Sequence, residues 1–289
     1  MTNTATHFAP RTSADLTGVS WIEVLTPTIH LGHVRHVVCD FDGTISVIRR
    51  GWEDIMIPMM IEMICDGQPS TSELEAEVAD YVDRSTGILT IKQMRWLEEA
   101  VKDRGMARKP LSAREYKAIY NERLLRPVRQ RLSQMGDTEE ARDTLAIVGA
   151  RGFMQDLHDR GVKLYLASGT DHVYVKEETA ALGVAEFFGD DIYGAMDDSE
   201  EYTKERIIQR ILDDHGLHGE ELMVVGDGPV EIREAAQRGA IALGLAADEE
   251  RRCGLSPRKR ERLINAGADL IVTDFAHHAE LVDWLVGVG

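Results

Sequence analysis

The stretch Val37-Val38-Cys39-Asp40-Phe41-Asp42-Gly43-Thr44-Ile45 places two carboxylates, one residue apart, at the C-terminal end of an apolar run. Gly43-Thr44 then turns the chain out of it. The pattern reads as a strand that delivers two acids to the lip of a sheet. In open α/β sheets, ligands bind outside the carboxyl ends of the strands, so the pair stands where chemistry is done. Two like charges this close are costly unless a cation or a shared proton relieves them. Mg²⁺, a hard ion that takes oxygen ligands and works with substrate phosphates, meets that need. A turn or helix cap built from the same aspartates is the plainer alternative.

Two later stretches repeat the theme of a strand ending in polar groups, and a lysine stands between them. The strand-like run Val162 to Ala167 is followed by Ser168-Gly169-Thr170, Lys204 stands near a helix start, and Leu222 to Val225 runs into Gly226-Asp227-Gly228-Pro229-Val230-Glu231. Together with Asp40-Phe41-Asp42-Gly43-Thr44 these resemble, in order, the four motifs of the haloacid dehalogenase superfamily, most of whose members are phosphatases. Glu231 stands where many members have aspartate. The resemblance covers most of residues 34 to 286.

The resemblance implies a site. Asp40 is the expected nucleophile, forming an aspartyl-phosphate. Asp42 is the expected acid and then base, and its carbonyl a metal ligand. Ser168, with the following Gly169 and Thr170, is expected to bind phosphoryl oxygens, aided by the helix start near His172. Lys204 neutralises phosphoryl charge, with Lys176 as the alternative lysine. Asp227 is the expected Mg²⁺ ligand, with Glu231 beside it either in the metal set or holding a metal-bound water; a first-turn helix acid explains Glu231 nearly as well. Helix capping by Ser168, and a solvated helix-start lysine at Lys204, are the corresponding structural alternatives. Branches of the superfamily that cleave other bonds lack an acid at the position of Asp42, so the pair points to phosphate esters.

Composition sets outer bounds. The chain has 289 residues, 43% hydrophobic and 29% charged, ordinary for a globular protein with one large or two smaller domains. A formal charge of -17 argues against nucleic-acid or anionic-membrane partners, which are held by basic patches. Three cysteines without a CxxC pair suggest a reduced, cytoplasmic setting. Met1 to Asp15 is polar, without an apolar signal core, and reads as a loose tail. The apolar stretch Ile55 to Cys65 is too short to span a bilayer and carries Pro58 and Glu62, so no membrane segment is expected.

Between the first motif and Ser168 the chain reads as helix after helix. The first candidate runs from about Trp52 to Cys65, and three more start with capping-box spacing at Ser72/Glu75, Thr90/Gln93 and Ser112/Glu115. Pro127 is expected to bend or interrupt the last. Met56, Met59, Met60 and Met63 recur at helical spacing and read as a packed face. Arg49, Arg50 and Trp52 lie where the chain enters this insertion; solvent-exposed hinge arginines are the commoner outcome there, and the alternative is that an arginine such as Arg49 holds a second anionic group of the substrate. Thr86-Gly87 and Lys92-Gln93 are a loop and helix start able to face the core.

From about Arg151 helices and strands alternate, which signals βαβ units and a parallel sheet. The expected fold is therefore α/β, a Rossmann-like parallel sheet core with an inserted all-helical cap. The expected division is an N-terminal extension over 1–33, a discontinuous core over 34–50 and 148–289, and a cap over 51–147. Val19 to Leu25 reads as a strand or a packed lead-in. His30, His33 and His36 read as loop residues rather than a metal set, and His277-His278 as surface. The insertion resembles the helical cap of the phosphoglycolate phosphatase and β-phosphoglucomutase branch. The expected function is Mg²⁺-dependent hydrolysis of a small-metabolite phosphate monoester. Open alternatives are a sugar phosphomutase and a non-catalytic phosphate-binding protein.

Overall fold

The computed structural model describes residues 11–196 and 202–287. In chain order the strands are β1 (Arg11–Thr12), β2 (Ile22–Val24), β3 (His30–Leu31), β4 (His36–Cys39), β5 (Lys163–Asp171), β6 (Ile192–Ala195), β7 (Leu222–Gly226), β8 (Ile241–Leu245) and β9 (Leu270–Val272). Val37, Val38 and Cys39 of β4 are buried, as are all residues of β7 and β8. Continuous apolar runs of this kind belong to parallel strands covered on both faces.

A seven-stranded sheet results, in the order β2-β9-β8-β7-β4-β5-β6. All neighbours are parallel except β2, which pairs antiparallel with β9 at the edge. The chain leaves β4 for β5 on one side and later returns to β7 on the other, which makes the end of β4 a topological switch point. Register does the rest. Cys39 lies opposite both Leu166 of β5 and Val225 of β7, so Asp40, Ser168 in the last part of β5, and Asp227 come to one edge.

The helices of the core are α6 (Ala150–Asp159), α7 (His172–Leu182), α8 (Lys204–His215), α9 (Pro229–Gln237), α10 (Pro257–Ala266) and α11 (His278–Val286), and those of the insertion α1 (Glu53–Cys65), α2 (Ser72–Arg84), α3 (Thr90–Arg104), α4 (Ala113–Gln134) and α5 (Glu139–Asp143). Val38, Tyr165 and Val224 pack with Ile207, Ile208 and Ile232 from α8 and α9 on one face of the sheet. Val37 and Leu164 share the opposite core with Phe153 of α6, Val175 of α7 and Leu281 of α11. The architecture is the expected Rossmann-like core with a helical insertion.

Entry to and exit from the insertion are pinned side by side. Val47 N–H donates to the Leu145 carbonyl at 2.9 Å and Ile147 N–H to the Ile45 carbonyl at 3.0 Å, around a bridge between Ser46 and Ala146. Within the insertion Met56, Met59 and Met60 are buried and Met63 is half-buried.

Several local expectations change. Pro127 does not interrupt its helix; α4 runs unbroken through it for 22 residues. Its capping box at Ser112 and Glu115 forms as expected. At α2 the cap is Thr71 rather than Ser72, its hydroxyl accepting from Leu74 N–H. At α3 Thr90 is already helical, and Gln93 is buried, donating to the Ser85 hydroxyl at 3.1 Å instead of closing a box. Burial offers Gln93 a partner inside the insertion that a solvent-facing cap lacks.

Of the expected N-terminal tail, residues 1–10 lie outside the described residues. The remainder is not loose: Arg11–Thr12 pair with His30–Leu31, and the buried Ser13 hydroxyl donates to the Thr26 carbonyl. Val19 to Leu25 contains β2, so this extension supplies an edge strand of the central sheet. Among the described residues no helix is long and apolar enough to cross a membrane.

Gly149, where the chain re-enters the core, has φ +76°, and a Cβ there would stand 2.1 Å from the Phe275 carbonyl oxygen. Both the left-handed backbone and the backbone contact penalise any side chain. Gly149→Ala is expected to lower unfolding free energy by about 1–3 kcal/mol, read from the midpoint shift in urea denaturation.

Candidate active site

Asp40 follows β4 directly, and its backbone N–H continues the ladder by donating to the Val225 carbonyl at 2.9 Å. The residue is 6% exposed. Lys204 is the first residue of α8, whose N-cap Thr203 accepts from Arg206 N–H and so fixes the helix start. From there Lys204 Nζ reaches Asp40 Oδ1 at 2.7 Å and Glu231 Oε2 at 2.9 Å. Glu231, in the first turn of α9, accepts from Gly228 N–H through Oε1 at 2.7 Å. Both Glu231 oxygens are thus engaged, one capping a helix and one holding the lysine.

Asp42 lies across the cavity. Ser168 and Thr170 donate to its Oδ2 at 3.2 and 2.9 Å, and Thr170 N–H returns to the Ser168 hydroxyl at 3.1 Å. Asp42 Oδ1 is buried without a hydrogen-bond partner, with Arg49 Nε 3.7 Å away. Arg49 itself is clamped by Glu178 of α7, through Nε at 3.1 Å to both carboxylate oxygens and through Nη2 at 2.6 Å.

Asp227, just past β7, completes the edge. Thr44 Oγ1 donates to its Oδ1 at 3.4 Å, and Gly43, at φ +77°, lies so close that a Cβ would meet Asp227 Oδ2 at 2.4 Å. Lys259 of α10 reaches Asp227 Oδ2 and Glu249 Oε1, each at 2.7 Å. Arg262 donates to the Asp227 carbonyl at 2.8 Å and to Thr86 Oγ1 of the insertion at 3.1 Å.

Burial drives the Asp40 carboxyl well above the ordinary range; Lys204 opposes this, while Glu231 and Asp227 add to it. Burial alone would weaken the Lys204 ammonium, but Asp40 and Glu231 more than reverse that and hold it raised. Asp227 goes the other way: against the burial penalty, Lys259 and Arg262 keep it below the usual carboxylate value. Burial pushes Glu178 up to about 7, opposed by Arg49.

Asp40, Asp42, Arg49, Ser168, Gly169, Thr170, Lys204 and Asp227 all line one cavity of about 70 Å³ at the C-terminal edge of the sheet. Glu231 sits behind Lys204. Trp52, Thr86, Gly87, Ile88, Thr90, Gln93, Tyr120 and Leu124 of the insertion close the opposite wall. The loop of Gly87 and Ile88 descends far: a Cβ on Gly169 would stand 2.3 Å from the Ile88 carbonyl oxygen, and one on Gly87 would stand 2.7 Å from Glu231 Oε2. Lys92 and Arg50 do not line the cavity, Arg50 pairing with Glu250 at 3.4 Å. Lys176 is exposed on α7.

Among the described residues the group able to hold a metal ion is Asp40, Asp227 and Glu231, whose oxygens lie within 4.8 Å of one another. Three carboxylates share Lys204, Lys259 and Arg262, and two of these cations are shared again, Lys259 with Glu249 and Arg262 with Asp83. That hard, oxygen-only donor set with excess negative charge fits Mg²⁺. Four of the histidines read from the sequence are engaged elsewhere, and two of them lie in strands rather than loops: His30 in β3 pairs with Glu220, His36 in β4 bonds Tyr165, His277 stacks on Trp21 and His278 bonds Asp156.

Sequence reasoning missed Glu178, Glu249, Lys259 and Arg262. A signal existed for the last two, since Arg258-Lys259-Arg260 and Arg262 form a basic run in an acidic chain.

A family model for haloacid dehalogenase-like hydrolases matches residues 34–239, and the chain belongs to that family. Solved structures share the fold at low identity. A predicted phosphatase from Clostridium acetobutylicum has TM-score 0.55 at 17% identity, covering 86% of this chain and 99% of its own. A predicted phosphoglycolate phosphatase from Haemophilus somnus gives 0.55 at 16%, covering 86% and 98%. A provisional beta-phosphoglucomutase from Bacteroides vulgatus gives 0.54 at 14%, covering 86% and 88%. No curated protein matches the chain.

The Lys259 pairs carry a stability prediction. Lys259→Met leaves Asp227 and Glu249 short of a buried partner, which costs about 3–5 kcal/mol at neutral pH. Asp227 has a depressed folded-state pKa, so its share of stability is present above the unfolded value near 4 and fades as pH falls through the lower folded value. The gap between wild type and variant in chemical denaturation is therefore expected to be widest near pH 7 and to narrow below about pH 4.

Proposed function

We propose that the protein is a Mg²⁺-dependent phosphomonoesterase for a small phosphorylated metabolite, working through an aspartyl-phosphate on Asp40. One observation supports this above the others: Asp40, Asp42, Ser168, Lys204 and Asp227 line a single cavity closed by the helical insertion. Membership of a hydrolase family agrees with it.

A carboxylate oxygen of Asp40 attacks phosphorus while the bond to the leaving oxygen breaks, and Asp42 gives that oxygen its proton. Asp42 Oδ1 is suited to this, since the hydroxyls of Ser168 and Thr170 hold only Oδ2. Lys204 beside Asp40 offsets charge on the phosphoryl oxygens. Water then attacks the aspartyl-phosphate, giving up its proton to Asp42, and inorganic phosphate leaves Asp40. Asp40, Asp227 and the Asp42 carbonyl are the residues to hold Mg²⁺, with Glu231 steadying Lys204. The ion, when bound, screens repulsion between the Asp40 carboxylate and the incoming phosphate.

The helices over 51–147 act in this reading as a cap, and the loop of Thr86, Gly87 and Ile88 as the part that excludes water. Hydrolysis, rather than phosphate return to a second hydroxyl, is the reaction that membership of a hydrolase family favours. Buried, unpaired Cys39 and Cys65 suit a reducing compartment such as the cytoplasm.

Phosphate release from a panel of phosphorylated metabolites, assayed with and without Mg²⁺, tests the reading. Release is expected to vanish on chelation and to fall at least about 10³-fold in Asp40→Asn. Full activity in that variant, or sugar phosphates isomerised without release, would refute it.

A further inference from the structure

The cavity wall that receives the leaving group carries a cation whose charge is already answered. Apart from Lys204, which Asp40 and Glu231 occupy, Arg49 is the cation among the lining residues. Its side chain is 6% exposed and meets Glu178 through Nε and Nη2, with Asp42 Oδ1 3.7 Å from Nε. Both Glu178 oxygens accept from Arg49, the paired geometry of an ionised carboxylate on guanidinium. The same guanidinium stands over the Tyr174 ring, 5.6 Å from its centroid. Glu178 belongs to α7 and is itself buried, so the clamp is built into the core rather than lent by a mobile surface chain.

A substrate with a second anion, such as a carboxylate beside the phosphate ester, would find no free positive charge here. Drawing Arg49 away from Glu178 would strand a buried carboxylate, which costs more than the new contact returns. The remaining wall is neutral: Thr90, Gln93 and Tyr120 offer hydroxyl and amide groups, and Trp52, Ile88 and Leu124 are apolar. Burial raises the Tyr120 phenol further above neutrality, so it stays uncharged. A cavity of about 70 Å³ leaves room for only a few heavy atoms beyond the phosphoryl group.

We propose that Glu178 is a specificity-determining residue that cancels Arg49, so the site takes phosphate monoesters of small, uncharged, hydroxyl-bearing alcohols and rejects esters with a second anion. This rests on the phosphatase reading above; of the two sequence expectations for Arg49, the exposed hinge gives way to a buried residue and the anion-binding role to one of wall and positioning.

The test uses a matched three-carbon pair, glycerol 3-phosphate and 3-phosphoglycerate, with Mg²⁺ at pH 8, above the value of about 7 that burial gives Glu178. Phosphate release by wild type and Glu178→Gln, and calorimetric binding of each ester to Asp40→Asn, are measured together. Wild type is expected to favour the glycerol ester by about tenfold or more in kcat/KM, and Glu178→Gln to shrink that ratio about tenfold through a lower KM for phosphoglycerate. A wild-type preference for phosphoglycerate, or an unchanged ratio in a Glu178→Gln protein that melts like wild type, overturns the proposal. If that variant does not fold, the wild-type ratio and the binding pair still decide it. Binding that favours the neutral ester without any release supports the charge rule and refutes the phosphatase reading alone; absence of binding by either ester overturns both.

Discussion

The structure is organised around the electrostatic problem of several carboxylates meeting at one sheet edge. Asp40, Asp227 and Glu231 bring their oxygens within 4.8 Å of one another, and Asp42 lines the same cavity. Buried like charges are tolerated only with partners close by. Each acid accordingly has its own support: Lys204 between Asp40 and Glu231, Lys259 and Arg262 on Asp227, two hydroxyls on Asp42. A chain of formal charge -17 places Lys204, Lys259, Arg262 and Arg49 in this one region, and the residual negative charge there is what makes a divalent cation welcome.

The same groups tie the helical insertion to the core. Arg262 bonds Asp227 below and Thr86 above, Arg258 pairs with Glu53 and Asp83, and Lys117 with Asn121 of α4 hold Asp171 at the end of β5. The approach is close enough that Gly87 and Gly169 admit no side chain without displacing a neighbour. Closure and charge compensation are one arrangement, because the residues that neutralise the acids also reach the loop that covers them.

How much was legible follows from the range of each interaction. Asp40, Asp42, Ser168, Lys204 and Asp227 stood out because each marks a strand end or helix start, a local feature. The box at Ser112 and Glu115 was readable for the same reason. Thr90 and Gln93 had the same spacing and misled, since Ser85, eight residues away, claimed the Gln93 amide. Pro127 misled in the opposite direction, for the surrounding packing keeps α4 continuous across it. Val19 to Leu25 stayed ambiguous because an edge strand is settled by its neighbour, and that neighbour, β9, lies some 250 residues later.

The amino-acid sequence alone determined the α/β rhythm, the helical insertion after the first strand and the acids at the strand ends, because periodicity, turn residues and apolar runs act over a few residues. Tertiary structure decided which charges answer which. Glu178 against Arg49 and Lys259 against Asp227 join α7 to the cap entrance and α10 to the end of β7. No spacing rule reaches that far, since such pairs are set by where the sheet register and helix packing carry each side chain, and by the cost of leaving any buried charge alone.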